Sequence, residues 1–267
     1  MQIRDMMVPV GDGIELEVRR IQHAEPKGPV LVFLHESLGS IALWRKFPEK
    51  LAKATGCEAL IYNRQGYGHS SDEELPRPHD YLEAAGEQWL PRLLDKLEIR
   101  DVVLIGHSDG GSIALVTAGT MGGRVKALAT MAAHIYADHL TLAGIEEMAV
   151  RYRETDIRDC LARYHGNRTD DLFNAWQTVW RDEGFQAAMD FSRWLAAIEC
   201  PAIIIQGEND EYGVPEQVTD IVAGIGPKAR GVLLEDAGHS PHLEKQDQVV
   251  ELLYDFLRSE SVLKNCN

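Results

Sequence analysis

The chain has 267 residues, 45% of them apolar and 26% charged, enough for one sizeable core of the size that many single-domain α/β enzymes use. Its 42 acidic and 27 basic side chains leave a net charge of −15, which argues against electrostatic binding to nucleic acid or to an anionic membrane. No apolar run reaches the ~18 residues of a membrane span; the N-terminus MQIRDMMVPVGDG lacks a signal-type apolar stretch, and four scattered cysteines (Cys57, Cys160, Cys200, Cys266) without a CxxC pair fit reduced thiols in a cytoplasm.

Along the chain, Ile14–Ile21 alternates apolar and polar residues and predicts an antiparallel strand at one sheet edge. Six short runs follow with no polar alternation: Val30–Leu34, Ala59–Tyr62, Val102–Ile105, Ala127–Thr130, Ala202–Ile205 and Val232–Leu234. Such runs suit strands buried on both faces of a parallel sheet. Helical patterns lie between them, at about 41–55, 79–97, 110–121, 215–223 and 244–258. Alternating strands and helices predict an α/β layer fold.

The alternation stops after Ala127–Thr130. Residues 135–197 hold no convincing strand and carry Trp176, Trp180 and Trp194. They read as three or four amphipathic helices, with Leu172, Phe173, Trp176, Val179 and Trp180 on one stripe. The division expected is a core of residues 1–134 and 198–267 with a helical cap at 135–197. Most of the aromatic stripe is expected to serve packing.

The stretch VVLIGHSDGG, Val102–Gly111, carries the chemistry. An apolar strand runs into Gly106-His107-Ser108-Asp109-Gly110, and an apolar helix follows. A serine on such a sharp strand-to-helix turn needs small residues two before and two after it. Gly106 and Gly110 supply them, and Gly111 adds room beside the helix. The hydroxyl then stands at a helix N-terminus, where unpaired amides favour developing negative charge. Of the ten histidines, His239 lies in a loop just past the last apolar run, and His242 is its rival as a base. His107 precedes the serine and is read as packing. Asp210, in the loop after Ala202–Ile205, is the acid expected to orient the base, with Glu208 and Glu211 nearby. The order Ser108, Asp210, His239 suits a strand-elbow hydrolase.

With these residues in hand, the sequence resembles the α/β-hydrolase superfamily over nearly its whole length. Gly106–Gly110 is similar to the family's elbow, Gly207–Asp210 with Pro215 to its acid segment, and Gly238-His239-Ser240-Pro241 to its histidine segment. Asn63–Ser70 (NRQGYGHS) resembles its arginine-glycine-x-glycine-x-serine loop. The resemblance implies an α/β-hydrolase fold with Ser108 as nucleophile, His239 as base and Asp210 as its acid. It also implies an oxyanion hole from the Ser37 and Asp109 amides. The family's common His-Gly reads His35-Glu36 here, in a His-Glu-Ser-Leu-Gly-Ser form similar to a subset of bacterial hydrolases. Glu36 and Asp109 therefore bring two carboxylates toward an oxyanion site, so each must point away, be paired or be protonated.

The expected activity is hydrolysis of a carboxylic ester of a small or medium apolar substrate. The same residues would serve an enol-lactone, an acyl-homoserine lactone or a carbon–carbon bond in a diketone. A ligand-binding receptor that keeps the fold without catalysis is a reading of another class. Trp44, His134, Tyr136, Trp176, Trp180 and Tyr212 are the expected pocket walls. No metal or organic cofactor is called for, the partner is a small-molecule substrate, and a homodimer through the cap or an edge strand is compatible with the sequence.

Overall fold

A computed structural model describes residues 1–263, so Cys266 lies outside the described residues. Eight strands span Gln2–Gly11 (β1), Ile14–Gln22 (β2), Val30–Leu34 (β3), Ala59–Tyr62 (β4), Val102–His107 (β5), Val125–Met131 (β6), Ala202–Gly207 (β7) and Ala229–Leu234 (β8). They form one sheet in the order β1-β2-β4-β3-β5-β6-β7-β8. β2 runs antiparallel to both β1 and β4, and every other pairing is parallel. The antiparallel strand expected at the edge is therefore the second strand. β1 covers it, paired from Gln2 with Gln22 to Gly11 with Ile14. β1 escaped the pattern because only Val8 and Val10 along it are fully buried, and charged Arg4 and Asp5 face water as edge strands commonly arrange.

The central strands are apolar throughout because each face meets a different core. Val32, Leu34, Leu104, Leu128 and Ile204 point into one core. Leu31, Phe33, Val103, Ile105, Ile203 and Ile205 point into the other. Helices α1 (Phe47–Thr55) and α12 (Gln246–Ser259) close the second core through Leu51, Val249 and Phe256. Helices α2 (Tyr81–Ala84), α3 (Leu90–Lys96), α4 (Asp109–Met121) and α10 (Glu216–Ile225) lie on the first. α4 is buried continuously from Asp109 to Ala118, which explains its lack of a polar face. The helix expected over 79–97 is interrupted by a π-helical turn, Ala85–Trp89, just ahead of Pro91, whose missing N–H breaks the regular ladder.

Between β6 and β7 come five helices: α5 (His139–Glu154), α6 (Ile157–His165), α7 (Thr169–Arg181), α8 (Glu183–Ala188) and α9 (Ser192–Ala197). A capping box at Asp138 and Thr141 starts α5. A short helix, α11 (Pro241–Glu244), precedes α12. Among the described residues, no helix is long and apolar enough to cross a membrane.

Candidate active site

β5 ends at His107 and α4 begins at Asp109, so Ser108 alone makes the turn. Its φ of 52° is a strained value for a residue with a side chain. The surroundings hold it there. Its amide donates to the Met131 carbonyl at the end of β6, 2.9 Å away. A Cβ on Gly106 would collide with the Gly110 carbonyl, and one on Gly110 with the Leu34 carbonyl. Both glycines are therefore demanded by backbone proximity.

The chain brings the three sequence-predicted side chains into contact. His239, in the loop between β8 and α11, has its Nε2 3.1 Å from the Ser108 Oγ. Its Nδ1 lies 2.8 Å from Asp210 Oδ1, in the loop after β7. With the proton on Nδ1 donated to the carboxylate, the Nε2 lone pair accepts the serine hydroxyl. Burial by itself pulls the His239 pKa down, but the charge and hydrogen bond of Asp210 outweigh it and leave the imidazole more basic than usual. Burial pushes the Asp210 carboxyl the other way. His239 and the Tyr212 amide, 2.9 Å from Oδ1, hold it below the usual carboxylate value.

The two loops are fixed independently of this contact. His134 Nε2 and Thr141 Oγ1 donate to the Tyr212 carbonyl at 2.9 and 2.7 Å. Glu244 accepts the Gly238 and Ser240 amides at 2.7 and 3.0 Å, and Glu211 accepts the His239 amide at 3.3 Å. The rivals take other places. His242 is buried against Trp44, Phe47 and His107, with ring centroids 4.8, 5.5 and 4.6 Å away. Glu211 meets the backbone of His239 and not its ring.

Both worrisome carboxylates have partners. Asp109 Oδ2 accepts the Tyr81 hydroxyl at 2.9 Å and lies 3.6 Å from Arg64 Nη1. Trp180 Nε1 donates to the same Tyr81 oxygen at 2.9 Å, so an inserted helix is tied to the residue after the serine. Glu36 Oε2 lies 3.5 Å from His107 Nδ1. Burial would raise its pKa, but His107 opposes this and the carboxyl falls to about 2.

The loop carrying Ser37 is held by its carbonyls. Glu36 O accepts Arg64 Nη2 at 2.9 Å and the Gly39 amide at 3.1 Å. Tyr67 donates to Ser37 O at 2.6 Å, and His165 Nε2 to Leu38 O at 3.1 Å. Asp109, as the first residue of α4, has an amide without an intrahelical acceptor.

A cavity of about 280 Å³ opens above Ser108. Of the expected walls, His134, Trp176, Trp180 and Tyr212 line it. Trp44 does not: its ring turns into the second core, 5.3 Å from Phe33, and its neighbour Leu43 faces the cavity instead. Tyr136 does not either, because its hydroxyl is drawn to Asp220 on α10 at 2.8 Å. Sequence reasoning missed Ile145 and Met148 on α5 and Ile157 and Leu161 on α6. Their three- and four-residue spacings are the signal that could have found them. His107 packs as expected, against Trp44 and His242, and its Nε2 also donates to the His239 carbonyl at 2.8 Å, a contact the sequence did not show.

Known proteins resemble this chain in sequence and in fold. The human serine hydrolase BPHL is 27% identical over 207 residues, covering 74% of this chain and 69% of its own length. The enol-lactonase of Burkholderia xenovorans LB400 superposes with a TM-score of 0.74 at 20% identity, covering 94% of this chain and 99% of that one. The 2-hydroxy-6-oxo-6-phenylhexa-2,4-dienoate hydrolase of Rhodococcus sp. strain RHA1 gives 0.79 at 17% identity, covering 96% and 99%. The model of the alpha/beta hydrolase family matches residues 31–252, and the chain belongs to that family of hydrolases.

Proposed function

We propose that the protein is a serine hydrolase that cleaves a carboxylic ester of a small or medium, uncharged apolar substrate through an acyl-enzyme. The observation that carries this reading is the continuous contact from Ser108 Oγ through His239 to Asp210, at 3.1 and 2.8 Å, on the floor of a mostly apolar cavity. His239 takes the Ser108 proton as the oxygen attacks the ester carbonyl. The tetrahedral oxyanion is met by the Ser37 and Asp109 amides, each worth roughly 3–4 kcal/mol to such a transition state. The carbon–oxygen bond breaks, the alcohol leaves with the proton from His239, and water repeats the sequence on the acyl-enzyme. Asp210 keeps the productive tautomer and stabilises the imidazolium. The helices α5–α7 act as the cap that shapes the acyl or alcohol site.

Charge narrows the substrate class. Glu36 and Glu211 line the cavity, and among the described residues no lysine or arginine does. A substrate carboxylate would meet two like-charged side chains at the cavity wall with no lysine or arginine there to offset them. Neutral esters, and neutral lactones with the same triad, suit this cavity better than a dienoate or another acid-bearing compound. The test pairs a fluorophosphonate probe with a substrate panel of p-nitrophenyl esters, lactones and diketones, each neutral and carboxylated. Labelling at Ser108 and turnover of neutral esters are expected. An unlabelled Ser108 would return the chain to a binding role, and preference for carboxylated substrates would overturn the charge argument.

A further inference from the structure

We propose that Glu36 and His107 are positioning residues that hold the backbone from which His239 projects. This rests on the reading of His239 as the base. His107 is the residue before Ser108 and is 2% exposed. A carbonyl oxygen can only accept, so the 2.8 Å contact from Nε2 to the His239 carbonyl requires a hydrogen on that nitrogen. The ring thus donates across from β5 to the loop after β8, parallel to the catalytic contact made by Ser108 one residue later.

Glu36 faces the opposite edge of the same ring, its Oε2 3.5 Å from Nδ1, an ion-pair contact made when Nδ1 carries a hydrogen as well. The carboxylate fits there because position 39 is glycine: a Cβ on Gly39 would collide with the Glu36 side chain and with His35. The backbone of Glu36 is in turn held by Arg64 Nη2 and the Gly39 amide. His107 is sandwiched by His242, at 4.6 Å between centroids, and His239, at 5.1 Å. One side-chain pair therefore joins the three segments that chemistry needs in register: the loop ending in Ser37, the strand ending before Ser108 and the loop carrying His239. This gives a role to the glutamate that stands where relatives of this fold often carry glycine.

Misplacing a catalytic group by about 1 Å can cost on the order of 100-fold in rate. His107→Ala is accordingly expected to lower kcat for a neutral p-nitrophenyl ester by about that factor, with KM within about twofold of wild type. His107→Gln, whose amide can donate to the same carbonyl, is expected to recover most of the loss. Glu36→Gln removes a negative charge near His239 and is expected to move the acid limb of kcat/KM to lower pH. The other groups facing His239 stay in place in that variant: Asp210, Glu211 and Tyr212 after β7, His134 after β6, His107 on β5, and His242 and Glu244 on α11. Equal losses in the alanine and glutamine variants of His107 would overturn the proposal. So would a Glu36→Gln enzyme changed only in KM, which would assign the carboxylate to substrate. Wild-type protein that fluorophosphonate does not label removes the underlying reading as well, whereas labelled wild type with unaltered variants removes the positioning role alone.

Discussion

The floor and the roof of the cavity are held by different forces. The floor is the turn from β5 to α4, where backbone packs on backbone: Gly106 against Gly110, and Gly110 against the end of β3. The roof is α5–α7, packed on the core beneath through side chains such as Ile145, Phe173 and Val179 and tied down by a few side-chain hydrogen bonds. Trp180 reaches Asp109 through Tyr81, His165 bonds the Leu38 carbonyl, and Arg168 bonds the carbonyls of Gly68 and Ser70. A backbone contact cannot be relieved by a rotamer, whereas a side-chain hydrogen bond contributes only about 0.5–1.5 kcal/mol net. On the proposed reading, chemistry rests on the part packed backbone on backbone, and substrate choice on the part held by side chains. Changes to the floor should abolish or cripple turnover, and changes to the roof should redistribute it among substrates.

The largest effect belongs to Ser108→Ala. Removing the nucleophile from such a cluster costs on the order of 10⁶-fold in kcat, with the fold intact, because alanine loses only an oxygen at a turn fixed by its neighbours. Turnover within about tenfold of wild type, in an ester assay of purified protein, would refute the assignment of the nucleophile.

Asp210→Asn comes next, at about 10⁴-fold in kcat. Its pH profile carries a sign. His239 acts as a base only when neutral, and Asp210 raises its pKa above the ordinary imidazole value. Wild-type kcat/KM should therefore climb with pH through that raised pKa. Without the carboxylate the imidazolium loses its partner and its pKa falls, so the much reduced activity should begin its climb at lower pH. An acid limb that stays in place would show that another group sets it.

Gly110→Ala tests the floor as structure. The added methyl meets the Leu34 carbonyl, a backbone atom that cannot rotate aside, and a clash of this kind destabilises by several kcal/mol. A melting temperature within about 2 °C of wild type would mean that the floor yields as readily as the roof and would erase the contrast between them.

The same contrast governs what the sequence discloses. The central strands are legible because Val30–Leu34 or Ala202–Ile205 must be apolar on both sides, and the elbow is legible because its glycines answer to a local clash. β1 is not legible, since an edge strand with two buried residues leaves no periodic trace. Trp44 is as aromatic as Trp180, and only the path of the chain decides that one ring enters the second core and the other the cavity. The partnership of His107 with His239 spans 132 positions, beyond the reach of any local pattern. Glu36 is visible as an anomaly in the sequence, but the ring edge it faces is not.

The smallest effects are expected in the roof and at its anchors, and they separate anchoring from specificity. Tyr81→Phe removes the donor to Asp109 and the acceptor for Trp180 together. Stability should fall by about 1–3 kcal/mol, because a buried carboxylate oxygen and an indole N–H lose their partner, and kcat should fall less than in any floor variant. Trp180→Phe removes the indole donor and part of a buried ring but leaves Tyr81 bonded to Asp109, so its cost should be about 2 kcal/mol. In the double variant the two losses should sum to less than their separate values, because they share one hydroxyl. Met148→Ala on α5 touches neither anchor and lines the cavity. It should shift the preferred ester toward longer chains by roughly the 10- to 200-fold that one or two methylenes are worth in an apolar pocket, with little change in kcat for the best substrate. If instead the Met148 variant loses kcat on every ester alike, α5 is holding the catalytic groups in register and the roof belongs to the floor.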